Sequence, residues 1–185
     1  MIAQSTAHPA RPFTYADLED TPEDGYRYEI IGGSLIVTPA PSGRHQRAVD
    51  ALLVVLRQAE TPDTVVVSAP YDWLLPDGGS VQPDLLVVSR SDFNRDGPLQ
   101  ASVVPLLVVE VLSPSNALQD TAVKRALYER LGVHSYWIVD PDIPALLALR
   151  LVQGRYHTAI EVSGLGDVVA ASPFPVRFAL ADLVR

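Results

Sequence analysis

Residues 106–112 read Leu-Leu-Val-Val-Glu-Val-Leu, a run whose apolar side chains predict a fully buried β-strand. Glu110 interrupts this run, and burying an ionised carboxylate costs several kcal/mol unless a cation, a metal or several hydrogen-bond donors compensate. A second acid, Asp84, stands in another apolar run, residues 81–88. Two acids on neighbouring core strands predict a small negative pocket that holds a divalent metal or a lysine.

The length and composition favour one folded domain. The chain has 185 residues and is 48% hydrophobic, which is enough to bury a core without covalent cross-links. The polar residues and two prolines within residues 1–12 predict a flexible lead, so the domain is expected over residues 13–185. No apolar segment approaches the roughly 20 residues needed to cross a bilayer, and the lead lacks the order of a signal peptide. The sequence therefore predicts a cytoplasmic protein that does not enter a membrane.

The charge and the absence of cysteine exclude several classes of function. Without cysteine, the chain cannot form disulfides, thiolate nucleophiles, iron–sulfur clusters or cysteine-ligated zinc sites. A net charge of -8 argues against binding nucleic acid by bulk charge, because counterion release needs clustered lysine and arginine. The negative net charge is still compatible with a nucleic-acid enzyme that has a metal and a local basic groove.

The order of predicted elements gives a mixed α/β fold around one sheet. Gly32-Gly33 separates two β-rich runs and predicts a hairpin, and Ser42 is a plausible N-cap for a helix that extends to about Ala59. A second helix is expected from about Leu118 to Leu131, with Gly132 as its C-cap. Further elements are a short helix near Thr14, strands at 64–68, 81–88, 106–112 and 135–139, and a closing hairpin of 146–152 with 156–162.

The second helix carries the side chains expected to compensate the buried acids. Asp120, Lys124 and Tyr128 are spaced four apart and predict one polar stripe along the helix. An apolar stripe beside it comprises Val123, Leu127 and Leu131. Because this helix follows directly from the strand of Glu110, it can lay the polar stripe across the end of that strand. Lys124 is then expected to face Asp84 and Glu110.

Two carboxylates and a lysine around one point suit metal-assisted phosphodiester hydrolysis. Carboxylates hold Mg²⁺ with several waters retained, and the metal lowers the pKa of a bound water and neutralises charge on phosphate. A lysine can orient the attacking water or stabilise developing charge. Hard oxygen ligands without cysteine favour Mg²⁺ or Mn²⁺ over zinc.

The motifs in this order resemble the Uma-two family of bacterial proteins classed as restriction endonucleases, in the PD-(D/E)XK nuclease superfamily. They are Pro83-Asp84, residues 110–115 (Glu-Val-Leu-Ser-Pro-Ser), Asp120, Lys124, Tyr128, Gly132-Val133 and residues 136–141 (Tyr-Trp-Ile-Val-Asp-Pro). The N-terminal part agrees through Tyr15, Tyr28-Glu29, Gly33 and His45-Gln46. The similarity runs from about Phe13 to Leu183.

The resemblance implies a restriction-endonuclease-like α/β fold, with a central mixed sheet flanked by helices and with N-terminal and C-terminal hairpins. It implies that Asp84, Glu110 and Val111 bind the metal and that Asp84, Glu110, Lys124 and Glu29 are catalytic. The superfamily pattern has lysine two residues after the second acid, where this chain has Leu112. Lys124 on the following helix would replace it. The expected substrate is DNA, and cutting both strands with one site per chain favours a homodimer.

Several simpler interpretations stay open at this point. Asp84 could cap backbone amides after Pro83, and Glu110 could form a structural ion pair with Lys124 or an arginine. Asp120 could charge its helix end, Tyr128 could be a packed aromatic with a satisfied hydroxyl, and His45 could be a core or capping histidine. The alternative function is a nuclease-derived, non-catalytic binding or assembly module with structural acids. A hydrolase of small phosphorylated molecules is disfavoured, because no Gly-rich phosphate loop is evident.

Overall fold

A computed structural model describes residues 11–113 and 119–183. A 3₁₀ helix at Tyr15–Asp20 precedes strands and helices that we number in chain order. The first half contains β1 (Arg27–Ile31), β2 (Ser34–Thr38), α1 (Gly43–Ala59), β3 (Thr64–Ser68), β4 (Trp73–Leu74), β5 (Ser80–Val81), β6 (Leu85–Ser89) and β7 (Leu107–Val111). The second half contains a π-helical segment (Gln119–Lys124), α2 (Arg125–Leu131), β8 (Ser135–Asp140), β9 (Ala145–Val152), β10 (Arg155–Ser163), β11 (Asp167–Ala170), β12 (Val176–Ala179) and a 3₁₀ helix (Leu180–Leu183).

The centre of the fold is a mixed six-stranded sheet in the order β10-β9-β8-β7-β6-β3. β7 and β8 are parallel and their other neighbours in this sheet are antiparallel. Parallel neighbours need a crossover connection, and the chain between β7 and β8 supplies it with α2. A second sheet, in the order β2-β1-β5-β4, and the small pair β11-β12 complete the architecture. The central mixed sheet is the one that the sequence predicts, whereas the second sheet and the β11-β12 pair are additional to the single sheet that was expected.

The two faces of the central sheet are buried against different elements. One face packs on the apolar side of α1, where Val49, Leu52 and Leu56 are buried, and on the β11-β12 pair and the last 3₁₀ helix. The other face packs on β4, β5 and α2 and includes the stacked rings of Trp73 and Tyr128. Because both faces are covered, β7 is buried along its whole length, and Glu110 is enclosed on the α2 side.

The predicted hairpins and the first helix are confirmed. Ile31 pairs with Ser34 across Gly32-Gly33, whose φ values of 57° and 75° lie in the left-handed region that glycine tolerates. The Ser42 side chain accepts a hydrogen bond from the His45 main-chain N–H, as an N-cap does. The closing hairpin turns at 153–154 between β9 and β10.

The prediction of one strand over residues 81–88 is wrong. Val81 belongs to β5 in the second sheet, whereas Leu85 begins β6 in the central sheet. Pro83 lacks a backbone N–H and so cannot continue a ladder, which separates the two strands. Asp84 therefore stands immediately before β6, at the point where the chain passes from one sheet to the other.

The second helix also differs from the prediction. Its proposed start at Leu118 lies outside the described residues, and residues 119–124 are π-helical rather than α-helical. The end is as predicted, with Gly132 in the left-handed conformation at φ 83°. Val123, assigned to the apolar stripe, is 45% exposed, whereas Lys124 is buried. The wider π turn changes the helical phase and directs Lys124 inward, where acids compensate its charge.

Most of the predicted flexible lead, residues 1–10, lies outside the described residues, and Arg11 forms an ion pair with Asp17 at 2.6 Å. The β11-β12 pair was not predicted as strands, because its segments of four residues are too short for a clear alternating pattern.

Candidate functional site

The two core acids lie across neighbouring strands from each other. β6 and β7 are antiparallel, with Leu85 opposite Val109, so one further step of this register places Asp84 opposite Glu110. Opposed positions of an antiparallel pair have Cβ atoms roughly 4.5–5.5 Å apart. Asp84 is 1% exposed and Glu110 is fully buried. The fold therefore brings both predicted acids to one buried point at the end of the strand pair.

Lys124 lies between two carboxylates. Its Nζ atom is 3.0 Å from Glu110 Oε1 and 2.9 Å from Glu29 Oε1, and all three residues are buried. The expectation that Lys124 faces Glu110 is confirmed, and its second contact is with Glu29 rather than with Asp84. The catalytic roles assigned to these residues stay predictions.

Tyr128 and Gln82 hold the two glutamates in place. The Tyr128 hydroxyl donates to Glu110 Oε1 at 2.8 Å, and the Gln82 main-chain N–H donates to Glu29 Oε1 at 2.8 Å. Burial raises the pKa of Tyr128 well above its usual value, and the charges of Glu110 and Glu29 add to this effect. Tyr128 therefore stays a neutral hydrogen-bond donor, in agreement with the simpler interpretation of a packed aromatic with a satisfied hydroxyl.

Asp84 is surrounded by donors of its own. Arg27 donates to Oδ1 at 2.9 Å, the Val111 main-chain N–H donates to Oδ2 at 2.8 Å, and His45 Nε2 lies 3.1 Å from Oδ2. Burial raises the pKa of Asp84, but the His45 hydrogen bond, the charges of Arg27 and His45 and the Val111 N–H outweigh burial and lower this pKa to about 2. The carboxylate is thus ionised throughout the physiological range.

This low pKa predicts how Asp84 contributes to stability at different pH. A carboxylate whose pKa is lower in the folded state stabilises the fold above its ordinary pKa near 4, and the contribution is lost as the pH falls towards 2. We expect Asp84→Asn to be less stable than the wild type at pH 7, and about 2 kcal/mol of that difference to disappear between pH 4 and pH 2. Urea unfolding of both proteins across this range measures the difference. A difference that does not change with pH would contradict the proposed environment of Asp84.

Three residues of this cluster were not predicted as site residues. Arg27 stands two positions before Glu29 on β1, so the alternation of strand side chains puts both on one face. This spacing, which can be read from the sequence, indicates that Arg27 lies near Glu29. For His45 the sequence left a core or capping role open beside a role in the site, and its ring reaches Asp84 from the first turn of α1. Gln82 acts through its main chain, which no residue pattern reveals.

Lys124 is the only lysine in the sequence, beside thirteen arginines, and this rarity is a further signal that sets it apart. Lys124 is buried in the site, whereas Arg44, Arg57 and Arg90 are exposed. The side chain of Asp120 is not among those the structure describes, so its predicted place on the polar stripe is not tested.

The donor set fits a hard divalent cation. Asp84 and Glu110 offer carboxylate oxygens without any thiolate, which favours Mg²⁺ or Mn²⁺. Among residues 11–113 and 119–183, no group of three or more acids or histidines is arranged as a metal cage. Mg²⁺ does not need such a cage, because it retains several waters and is commonly held by one or two carboxylates. The opposed pair of acids is compatible with that mode of binding.

The model of one protein family, Uma2, described as a putative restriction endonuclease, matches residues 14–181. The chain belongs to the Uma2 family. The match includes Glu29, Asp84, Glu110 and Lys124, the four residues predicted to be catalytic. Among curated proteins, no relative matches the chain.

A solved structure shares the fold. It is described as a putative nuclease belonging to DUF820 from Anabaena variabilis, and it is 20% identical in sequence. The match covers 94% of this chain and 98% of that chain, with a TM-score of 0.74. This likeness confirms the restriction-endonuclease-like fold of this Uma2 protein over almost its whole length. Within the described residues, no helix is both long and apolar enough to cross a membrane.

Proposed function

We propose that this Uma2 protein is a cytoplasmic DNA endonuclease that depends on Mg²⁺ or Mn²⁺. The observation that carries the proposal is the opposed pair Asp84 and Glu110 with Lys124 at its edge, three buried charged side chains on separate elements. Membership of a family described by nuclease activity supports this assignment. Buried titratable groups with specific charge partners are characteristic of functional sites.

The residues have separable roles in the proposed reaction. Asp84, Glu110 and Val111, the last of which can use only its main-chain carbonyl, would hold the metal. When bound, the metal would acidify a water and neutralise charge on the phosphate. Lys124 would donate a hydrogen bond to the attacking water, and Glu29 would keep the Lys124 ammonium in position through their 2.9 Å contact.

Arg27 is suited to receive the substrate. Its side chain is 18% exposed, whereas those of Asp84, Glu110, Lys124 and Glu29 are each at most 2% exposed. A guanidinium binds phosphate oxygens in a bidentate manner. Burial lowers the pKa of Arg27, but the charges of Asp84, Glu110 and Glu29 outweigh it and raise this pKa, so the side chain stays cationic. Arg27 can therefore present positive charge to DNA although the whole chain is acidic.

The proposal predicts cleavage that requires metal. Incubation of the purified protein with supercoiled plasmid should give nicked and linear DNA in Mg²⁺ or Mn²⁺, and EDTA should abolish it, because the opposed carboxylates repel the phosphate without a cation between them. Gel electrophoresis measures the products. The absence of cleavage of plasmid, linear duplex and single-stranded DNA with either metal would refute the proposed activity.

A second candidate function is the non-catalytic binding or assembly module. It is favoured by the contacts of Asp84, since both of its oxygens already accept hydrogen bonds from protein groups, as in a structural ion-pair network. Calorimetric titration with Mn²⁺ separates the two candidates. Heat of binding that disappears in Asp84→Asn supports the endonuclease, and no binding supports the structural module.

We also propose a homodimer, because cutting both strands of DNA with one site per chain favours an assembly of two copies. Light scattering would give about twice the monomer mass in that case and the monomer mass otherwise.

A further inference from the structure

A cavity of about 470 Å³ lies beside the acid cluster, between the first 3₁₀ helix and β1. Its lining includes Tyr15, Tyr26, Arg27, Tyr28, Asp72 and Gln82. We propose that this cavity binds an unpaired nucleobase with an exocyclic amino group, in the DNA strand that the enzyme cuts. The proposal rests on the proposed nuclease function and adds a substrate class, namely DNA in which a base has left the helical stack.

The size and the aromatic lining suit a base. The volume falls within the roughly 300–1,000 Å³ that is typical of small-ligand sites. Three tyrosines line the cavity, and Tyr26 is 50% exposed, so its ring is accessible to a ligand. Aromatic rings at the edge of a nucleic-acid site provide surfaces on which unpaired bases stack.

Asp72 provides a hydrogen-bond acceptor for an amino group. Its Oδ1 accepts from Gln82 Nε2 at 2.8 Å and its Oδ2 accepts from the Tyr15 hydroxyl at 3.2 Å. These contacts fix the carboxylate, which has about four acceptor positions and thus retains capacity for further donors. A carboxylate that accepts from the cytosine amino group is an established mode of base recognition.

The charge of the cavity also distinguishes a base from a phosphate. Glu19, Glu23 and Asp72 line the cavity and Arg27 stands at its border with the acid cluster. A phosphate inside the cavity would be repelled by the three acids, whereas the amino group of a base is a donor that they attract. The occupant that fits is therefore the base, with its phosphate outside.

Two residues connect the cavity to the acid cluster. Gln82 donates through its side chain to Asp72 and through its main chain to Glu29. Arg27 lines the cavity and donates to Asp84. A base in the cavity would consequently belong to a nucleotide close to the phosphate that Arg27 contacts, so the cavity can help to position the bond that is cut.

The test compares binding of three fluorescein-labelled duplexes to the full chain, with Ca²⁺ replacing Mg²⁺ to prevent cutting. One duplex is fully paired, one has a single bulged cytosine and one has a single bulged thymine, which lacks the exocyclic amino group. We expect the bulged cytosine to bind at least about fivefold more tightly than the bulged thymine, and both to bind more tightly than the paired duplex. Fluorescence anisotropy measures the three affinities.

Two variants test the residues, each with a matched control. Tyr26→Ala should weaken binding of both bulged duplexes about tenfold, because it removes a stacking surface, and should leave the paired duplex unchanged. Asp72→Asn should bring the ratio of cytosine to thymine affinity close to one. The exposed residues Ile143 and Asp96 supply the controls Ile143→Ala and Asp96→Asn, which should behave as the wild type.

The outcomes separate this inference from the proposed function. If the wild type cuts or binds DNA but shows no preference for a bulged base, or if Tyr26→Ala and Asp72→Asn leave that preference intact, the base site is refuted and the endonuclease stands. If the wild type neither binds nor cuts any of the DNA forms, both proposals fail together.

Discussion

Plasmid cleavage should fall at least about a hundredfold in Asp84→Asn and in Glu110→Gln, because each change removes a negative ligand from the proposed metal pair. Both substitutions keep the size of the side chain, and the amide introduced by Glu110→Gln retains an oxygen that can accept from the Tyr128 hydroxyl. Initial rates of plasmid nicking in Mg²⁺ and Mn²⁺ measure the loss. Circular dichroism of each variant establishes whether the fold survives.

A matched acid outside the site provides the control for this result. Asp96 is exposed in the loop between β6 and β7, and Asp96→Asn should cut plasmid at the wild-type rate. Glu29→Gln distinguishes a supporting acid from a metal ligand. It should reduce the rate less than the Glu110 variant does, because Glu29 is proposed to position Lys124. Wild-type cleavage in both Asp84→Asn and Glu110→Gln would remove the proposed site.

Replacing Lys124 by methionine should destabilise the fold by about 3–5 kcal/mol. Methionine keeps much of the apolar length of lysine but removes the ammonium, which now contacts Glu110 and Glu29. Two buried carboxylates would then lie close together without that cation. Urea unfolding at pH 7 measures the free energy of unfolding.

A control and a double variant separate charge compensation from packing. Arg57 is exposed near the end of α1, and Arg57→Met should change stability by less than about 0.5 kcal/mol. Adding Glu29→Gln to Lys124→Met should restore part of the lost stability, since one of the two uncompensated acids becomes neutral. If Lys124→Met costs less than about 1 kcal/mol, the ammonium does not hold the two acids together.

The parts of the site that sequence reasoning reached are those set by local patterns. Glu110 was identified because the strand around it is otherwise apolar, and a charged residue within an apolar run can be recognised from a few neighbouring residues. Lys124 was found because the helix after that strand must cross back over the sheet. Its contact with Glu110 follows from chain connectivity and was predictable for that reason.

The parts that it missed depend on how the two sheets meet. Arg27 shares a face of β1 with Glu29, but its contact with Asp84, 57 residues away, depends on where β1 packs, which no local pattern indicates. The burial of Lys124 and the exposure of Val123 depend on the π-helical turn at residues 119–124. The prediction assumed the regular spacing of an α-helix, which places side chains at different angles around the helix axis. The passage from β5 to β6 was hidden because residues 81–88, which begin with Val81 of β5 and end inside β6, were interpreted as one apolar run.

The solitary lysine makes the centre of this protein accessible to selective isotope labelling. In a sample grown with ¹⁵N-lysine, the side-chain nitrogen spectrum contains one ammonium signal, because Lys124 has no counterpart elsewhere in the sequence. That signal comes from an atom held between Glu110 and Glu29. Each titration with a metal ion or an oligonucleotide can thus be followed at one atom in the middle of the acid cluster, without assignment of the remaining spectrum.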